Sequence, residues 1–485
     1  MTRIVEWLTR HTLLAALVAG ALARLVSALV GIGFHARDDY FHVLAPALAW
    51  LDDPAFVWET SDLPGAGLRS QLVPRLVELV VFIARAAGVT EPESLLRILH
   101  LCAGAYSLLA VWGMWLLASV LLPPKGARIA TWLTAVHFAM PYLGTRLLIE
   151  AMAIPPLIFG LWCATMTGLG VLFAGILIGL ACWLRYQVAV IAIGVAAHFA
   201  LRRRWRDLAY LAAGGLLALV IQGRFDKSTV GVPFQPLWNN ILANAAPHET
   251  LTRMSATTYL WIWLVLTIPP VTITLVPAMW REARGLRLVW LPFFLFVLAH
   301  MLIPHKEERF MAPALPLFLV LLAAGLARRM QPALAVWFVA VHAVALGVAV
   351  THQSQAGQRE ALTRLRHDAE ARAVIALGPE VPSFFLGDSP LPVRRNGEVD
   401  AVWLRRAMRD LDADDTPANR FLAFESDGFK MELLLEAMAL DCRREAVFRS
   451  SFFDQLAYRL NPEHNRRRSP IVLWTCERPE VASVL

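Results

Sequence analysis

Of the chain's 485 residues 57% are hydrophobic, and these run in unbroken blocks instead of at helical or alternating spacing, the pattern of lipid-buried helices. The formal charge of +7 does not point to nucleic acid, because the arginines sit in short clusters between apolar blocks, where membrane topology accounts for them. Five cysteines, Cys102, Cys163, Cys182, Cys442 and Cys476, show neither CxxC nor metal-ligand spacing, so no zinc site is indicated.

A span needs roughly 20 mostly apolar residues, since in hydrocarbon every backbone polar group must be bonded within its own helix. Arg3 and Arg10 place the N-terminus in the cytosol, and 12–33 reads as a retained anchor, too long for an ordinary signal peptide. The stretch 72–87 is short and interrupted by Pro74, Arg75, Glu78 and Arg85, so it reads as an interfacial helix. Spans follow at 95–122 and 129–142, then as a tight pair around Thr167 and Gly168. A sixth ends in Arg202, Arg203, Arg204 and Arg206, the strongest cytosolic marker, and a seventh leads to a polar loop, 223–257. The eighth returns to Arg281, Arg284 and Arg287, the ninth rises to Pro304, the tenth descends to Arg328 and Arg329, and the last covers 332–350. The expected architecture is a polytopic α-helical membrane protein, about 11 transmembrane helices over residues 1–351.

Beyond residue 352 apolar runs shorten. Helical stretches at 399–411 and 430–440 alternate with strand-like ones at 383–386, 420–424, 446–448 and 471–474, which predicts a small α/β domain over 352–485. The parity of the spans puts it outside the cytosol, where Cys442 and Cys476 can pair. Cys102, Cys163 and Cys182 lie in apolar segments and read as small buried side chains.

On this threading, arginine clusters occupy one side and chemically mixed loops, 34–94, 143–152, 223–257 and 304–310, the other, so chemistry is expected on the non-cytosolic face. Asp38 and Asp39 lie just beyond a membrane exit, beside His35, Arg37 and His42. A carboxylate there can take a proton from a hydroxyl nucleophile, and a solvated acidic turn is the plain alternative. Lys306 as a point charge and Arg309 as a bidentate fork can hold a departing phosphate, oriented by Glu307 and Glu308; otherwise they anchor a helix entrance. Arg146 and Glu150 are at helical spacing, on one face. Arg24, inside the first span, must be functional or paired, whereas Arg185 at the mouth of another can snorkel to the interface. In 223–257, Asp226, Gly231, Trp238, Asn239 and Asn244 offer the amide and aromatic groups that suit sugar recognition, or simply pack the loop.

Together these loops resemble glycosyltransferase family 22, mannosyltransferases of the GT-C superfamily that build GPI anchors and lipid-linked oligosaccharides. The family's Pro-Asp-Glu-aromatic-aromatic-Gln pattern is represented by Arg37, Asp38, Asp39, Tyr40, Phe41 and His42, followed by Trp58-Glu59 and Arg69-Ser70. Its His-Lys-Glu-x-Arg-Phe motif is matched in full by His305, Lys306, Glu307, Arg309 and Phe310. A Arg-Thr-Leu-Ser-Asn segment is represented loosely by 145–150, with Glu150 where the family has Asn, and a further loop by Asp226 to Gly231 and Asn239 to Asn244. The tail is similar to that of the GPI third-mannose transferase branch.

The resemblance implies an inverting transferase that moves mannose from a polyprenyl-phosphate donor to a glycan or glycolipid acceptor. Asp38 is then the general base with Asp39 its acidic neighbour; His305, Lys306, Arg309 and Arg146 bind the donor phosphate; His42, Trp58, Glu59, Arg69, Glu150, Asn239, Asn244 and Glu307 contact substrate. No cofactor is required, although Asp38, Asp39 and His42 can supply ligands to a divalent metal. The alternatives are a relative transferring another sugar, such as an aminopentose to lipid A or an envelope glycan, and a lipid or glycan transporter, which makes no new glycosidic bond. The excess of Arg over Lys and the abundance of Ala favour a bacterial inner membrane, with the endoplasmic reticulum membrane as the alternative.

Overall fold

The computed structural model describes residues 10–477 except 59–60, 62, 64–65, 246–254, 256, 304–305, 329–330, 380 and 464. Its contacts divide the chain into two units, one of Met1–Val30, Phe41–Phe82 and Ile98–Thr351, the other of Gly31–Tyr40, Ile83–Arg97 and His352–Leu485.

The first unit is built of helices, because its apolar blocks can satisfy their backbone only internally. Among the described residues five helices are long and apolar enough to cross a membrane: Thr12–Leu29, Pro92–Leu121, Trp205–Val230, Glu308–Ala327 and a stretch starting at Pro332. Thr272–Ala283 and Arg287–Leu302 meet at 120° and make a sixth if taken together. Ile149–Cys163, Leu169–Leu184 and Tyr186–Leu201 are shorter apolar helices. The length criterion selects fewer spans than the eleven apolar blocks of the sequence because prolines and turns cut several blocks short, as at Pro269 and Pro270 after Thr258–Leu266.

Glycines let these helices approach closely, as lipid offers no hydrophobic drive between them. A Cβ on Gly175 would lie 2.2 Å from the Leu211 carbonyl oxygen, and one on Gly214 2.0 Å from that of Leu172, so Leu169–Leu184 and Trp205–Val230 pack backbone to backbone. Gly194 likewise seats Ala189–Leu201 on Pro292 of Arg287–Leu302. The outer side of Thr12–Leu29 carries Leu14, Val18, Leu22 and Leu25, all exposed, as a lipid-facing stripe should be. Glu308–Ala327 is almost wholly buried and so forms the centre of the unit. Trp205–Val230 runs beyond the expected surface at Gly223 and stops at Gly231, whose left-handed φ of 85° closes it. With Gln235–Ala245 also helical, the expected polar loop is largely structured over its first half.

The second unit holds a five-stranded sheet, β1 (Val374–Leu377), β2 (Val393–Asn396), β3 (Arg420–Phe424), β4 (Asp441–Phe448) and β5 (Ile471–Glu477), in the order β2-β1-β3-β5-β4. β2, β1 and β3 are parallel; β5 runs antiparallel to β3 and β4. Ile375, Leu377, Phe421, Val472 and Trp474 pack with Leu404 and Leu411 of helix Ala401–Ala413 and Met431 of Gly428–Ala437. Asp400 caps the first of these helices, its carboxylate accepting from the Val402 and Trp403 N–H groups. Cys442 and Cys476 face each other across β4 and β5 and form a disulfide. The expected strand at 383–386 is instead a 3-10 turn, Ser383–Leu386, between Pro382 and the left-handed Gly387. Its Phe384 and Phe385 are both buried and pack on Phe34, with ring centroids 6.4 and 5.6 Å away, so consecutive aromatics signalled a buried turn and not a buried strand.

Candidate active site

Asp38 and Asp39 form, with Arg37, a single helical turn in the second unit. Arg37 is exposed, whereas Asp38 and Asp39 retain only 7% and 1% of their accessibility, which rules out a solvated acidic turn. The turn is held from both ends. Asp39 Oδ2 accepts the backbone N–H of His35 at 2.9 Å, and Tyr40 packs on Phe34 while its hydroxyl lies 3.0 Å from Ser383 Oγ. Burial pushes the Tyr40 phenol above its ordinary pKa, so it stays a neutral hydroxyl. Gly33 upstream has a φ of +136°, and a Cβ there would meet the Ser354 carbonyl oxygen at 2.1 Å. This close approach fixes where the turn begins.

The ionic cluster belongs to the first unit. Arg309 opens the central helix and grips Glu307 through two parallel bonds, Nε to Oε2 at 2.7 Å and Nη2 to Oε1 at 3.0 Å. Its Nη1 lies 3.7 Å from Glu150 Oε1, and Arg185 Nη2 reaches the same oxygen at 3.2 Å. Glu150 is fully buried and Arg185 2% exposed, with Arg185 and Arg309 both over the Phe310 ring. Lys306 donates to the Ile303 carbonyl, and burial lowers its pKa from the usual lysine value. The Tyr259 hydroxyl donates to the Glu307 carbonyl at 3.3 Å, pinning the loop from the neighbouring helix. Two arginines thus meet two carboxylates in a desolvated setting, with Lys306, also buried, one residue before Glu307. Such a cluster can stabilise a developing phosphate anion more strongly than the same groups in water.

Arg185 was read from the sequence as an interfacial arginine; its burial against Glu150 corrects that. A lone arginine directly after the apolar run 169–184 and a lone glutamate in another apolar setting were the only signals available. A second correction concerns Arg146 and Glu150, which do not share a helical face: residues 145–148 form a turn between Ala139–Gly144 and Ile149–Met152. Arg146 instead lies over the Tyr142 ring, with Nη1 3.3 Å from His100 Nδ1. Arg24 is held by neutral acceptors, Ser107 Oγ at 2.6 Å and the Ala135 and Gly20 carbonyls at 2.9 and 3.1 Å.

Trp58 is completely buried, edge-on to Trp50 at 6.2 Å. Asn239 donates to the Gly67 carbonyl and Asn240 to that of Leu68, so Gln235–Ala245 tethers the loop that carries Arg69. Asn244 turns inward to the Asn240 carbonyl. His42 is buried. His305 and Glu59 lie outside the described residues. Among the described residues no group of three or more His, Cys, Asp or Glu has metal-holding geometry.

The fold is shared with known membrane transferases. ArnT from Cupriavidus metallidurans bound to undecaprenyl phosphate superposes with a TM-score of 0.65 at 11% identity, over 95% of this chain and 97% of that one. Its apo form gives 0.61 at 12%, with the same coverage. The Archaeoglobus fulgidus oligosaccharyltransferase, in complex with Zn and sulfate, gives 0.51 at 12%, over 87% of this chain and 69% of that one. No curated protein sequence matches the chain significantly. The molecule is therefore a polytopic helical membrane protein with the GT-C fold. The profile of the Alg9-like mannosyltransferase family matches residues 15–375, and the chain belongs to that family as a glycosyltransferase.

Proposed function

We propose that this glycosyltransferase moves mannose, with inversion, from a polyprenyl-phosphate donor to a glycan or glycolipid acceptor on the non-cytosolic face of a membrane, a bacterial inner membrane by composition. Asp38 takes the proton of the acceptor hydroxyl as its oxygen attacks the anomeric carbon. The bond from that carbon to the phosphate oxygen breaks in the same displacement, and the electron pair leaves with the phosphate. Lys306, Arg309 and Arg185 stabilise the leaving group, with Arg146 as a further donor. A single displacement converts a β-linked donor into an α-linked product.

The observation that carries this reading is the buried cluster in which Arg309 of the Lys306 to Phe310 motif and Arg185 meet on Glu150, with Arg309 also gripping Glu307 and Lys306 buried in the same loop. The undecaprenyl phosphate bound to ArnT supports a lipid-phosphate donor. The Cys442–Cys476 disulfide suits an oxidising compartment and so supports a non-cytosolic second unit. A metal has no part in the proposed chemistry, which transfer persisting in chelator would bear out.

The test is Asp38→Asn in purified protein supplied with radiolabelled lipid-phosphate mannose and, in parallel, a lipid-phosphate aminopentose. The expected result is transfer of mannose by the unaltered protein and a drop on the order of 10²–10⁴-fold in the variant. An unchanged rate removes Asp38 from its role, and preference for the aminopentose replaces the donor.

A further inference from the structure

One helix of the second unit is built inside out. Phe452–Leu460 carries Phe452, Leu456 and Leu460 at four-residue spacing, on one face, and they are 71%, 41% and 77% exposed. Phe453 beside them is 39% exposed. The residue that the helix turns inward is the carboxylate Asp454, fully buried. An amphipathic helix on a water-soluble surface does the reverse.

The buried face is well made, so the arrangement is no packing defect. Asp454 Oδ2 accepts the Gln355 N–H at 2.9 Å, and Oδ1 lies 3.5 Å from His352 Nε2 and 3.7 Å from Arg468 Nε. Ser451 caps the helix, and its hydroxyl also lies 3.3 Å from His352 Nδ1. These partners fix which face is turned outward.

What covers the outer face is indicated by chain continuity. His352 immediately follows Thr351, the last residue of the apolar helix Pro332–Thr351, and Gln355 stands three residues further on in a left-handed turn. A helix bonded to the first residues beyond a membrane span is held at the depth where the bilayer interface lies. Arg449, before the helix, and Arg459, in its last turn, are both exposed, the placement that meets anionic headgroups while aromatic and leucine side chains enter the acyl boundary.

We propose that Phe452–Leu460 is an interfacial anchor that inserts Phe452, Leu456 and Leu460 into the outer edge of the same bilayer that the helices cross. The Gln355 side chain also donates to the carbonyl of His35 at 3.5 Å, the same residue whose N–H donates to Asp39. The anchor therefore sets the carboxylate turn at a defined height above the lipid, where a lipid-borne substrate presents its head.

The test does not depend on the enzymatic reading. Leu456→Cys and Leu460→Cys are made singly in full-length protein with Cys102, Cys163 and Cys182 replaced by Ala and the Cys442–Cys476 disulfide kept. Each is labelled with an environment-sensitive fluorophore in nanodiscs of phosphatidylcholine and phosphatidylglycerol. Val402→Cys, at a 67% exposed position of Ala401–Ala413, serves as the reference. The expected result is quenching by shallow nitroxide-labelled lipid several-fold stronger at 456 and 460 than at 402, with iodide showing the opposite order. Iodide quenching at 456 and 460 equal to that at 402, without lipid quenching, overturns the proposal. So does protection from both quenchers with energy transfer between labelled copies, which would assign the face to a second chain.

Discussion

The two units bury charge in different settings: the second keeps its buried charges, Arg420 with Asp368 and Asp454 with His352 and Arg468, outside the apolar cluster of its sheet. The sheet of the second unit has an apolar core of Ile375, Leu377, Phe421, Val472 and Trp474, with ion pairs such as Arg444–Glu425 and Arg466–Asp427 left at its margins. The helical unit places Arg185, Glu150 and Arg309 in its interior, where the pairing must offset the desolvation of every member. Arg24 in the same unit is buried with no carboxylate partner, its Nε and Nη1 donating to neutral acceptors and its Nη2 left without a hydrogen bond. A carboxylate shared by two arginines is therefore not what packing demands, and it points to a charge kept for chemistry.

The largest effect that tests this contrast comes from removing one partner. Arg185→Leu leaves the buried Glu150 carboxylate with the longer Arg309 contact and should cost up to about 3–5 kcal/mol of stability, whereas the double variant Arg185→Leu with Glu150→Leu should recover most of it. Thermal melting in detergent reads both. If the single and double variants melt alike, the buried pair is not coupled. Next, Lys306→Met should lower the transfer rate on the order of 10²–10³-fold, the size expected when one stabilising cation is lost, with little change in melting. In the other unit, Cys442→Ser should cost about 2–4 kcal/mol, seen as faster hydrogen exchange along β4 and β5, and leave the helical unit's exchange unchanged.

The smallest effect is a pH dependence. Burial alone raises the Asp454 carboxyl, but the His352 hydrogen bond, the charges of His352 and Arg468 and the Gln355 N–H more than offset it, holding the group below its ordinary value. A depressed carboxyl contributes stability that is present above its unfolded pKa and lost as pH falls through its folded one. The second unit should accordingly lose stability at acid pH, and Asp454→Asn should flatten that limb of the melting profile.

Legibility from sequence followed the range of the interactions involved. The motif from Lys306 to Phe310 is local, and so is the bidentate bond of Arg309 to Glu307, two residues apart. The position of Asp38 and Asp39 just beyond the first apolar block was legible for the same reason, whereas their helical turn and their burial were not. Arg185, in the extended link after Leu169–Leu184, and Glu150 stand 35 positions apart, so no periodicity reports their pairing; each alone looks like an interfacial charge. The turn at 145–148 broke the helical spacing that seemed to join Arg146 to Glu150. In the second unit, β3 and β5 were evident from their apolar runs, while β2, with the sequence Val393 to Asn396, carries two arginines and takes its strand character from its pairing with β1. The inward carboxylate of Phe452–Leu460 was likewise invisible until Gln355 and His352 were placed beside it.

The most direct test of the account is single-turnover transfer by the purified protein, given polyprenyl-phosphate mannose in one reaction and a nucleotide-linked mannose in another, with the anomeric configuration of the product read by NMR. The account predicts an α-mannoside formed from the β-linked lipid donor alone. A β-linked product, or transfer from the nucleotide sugar in place of the lipid phosphate, would contradict it.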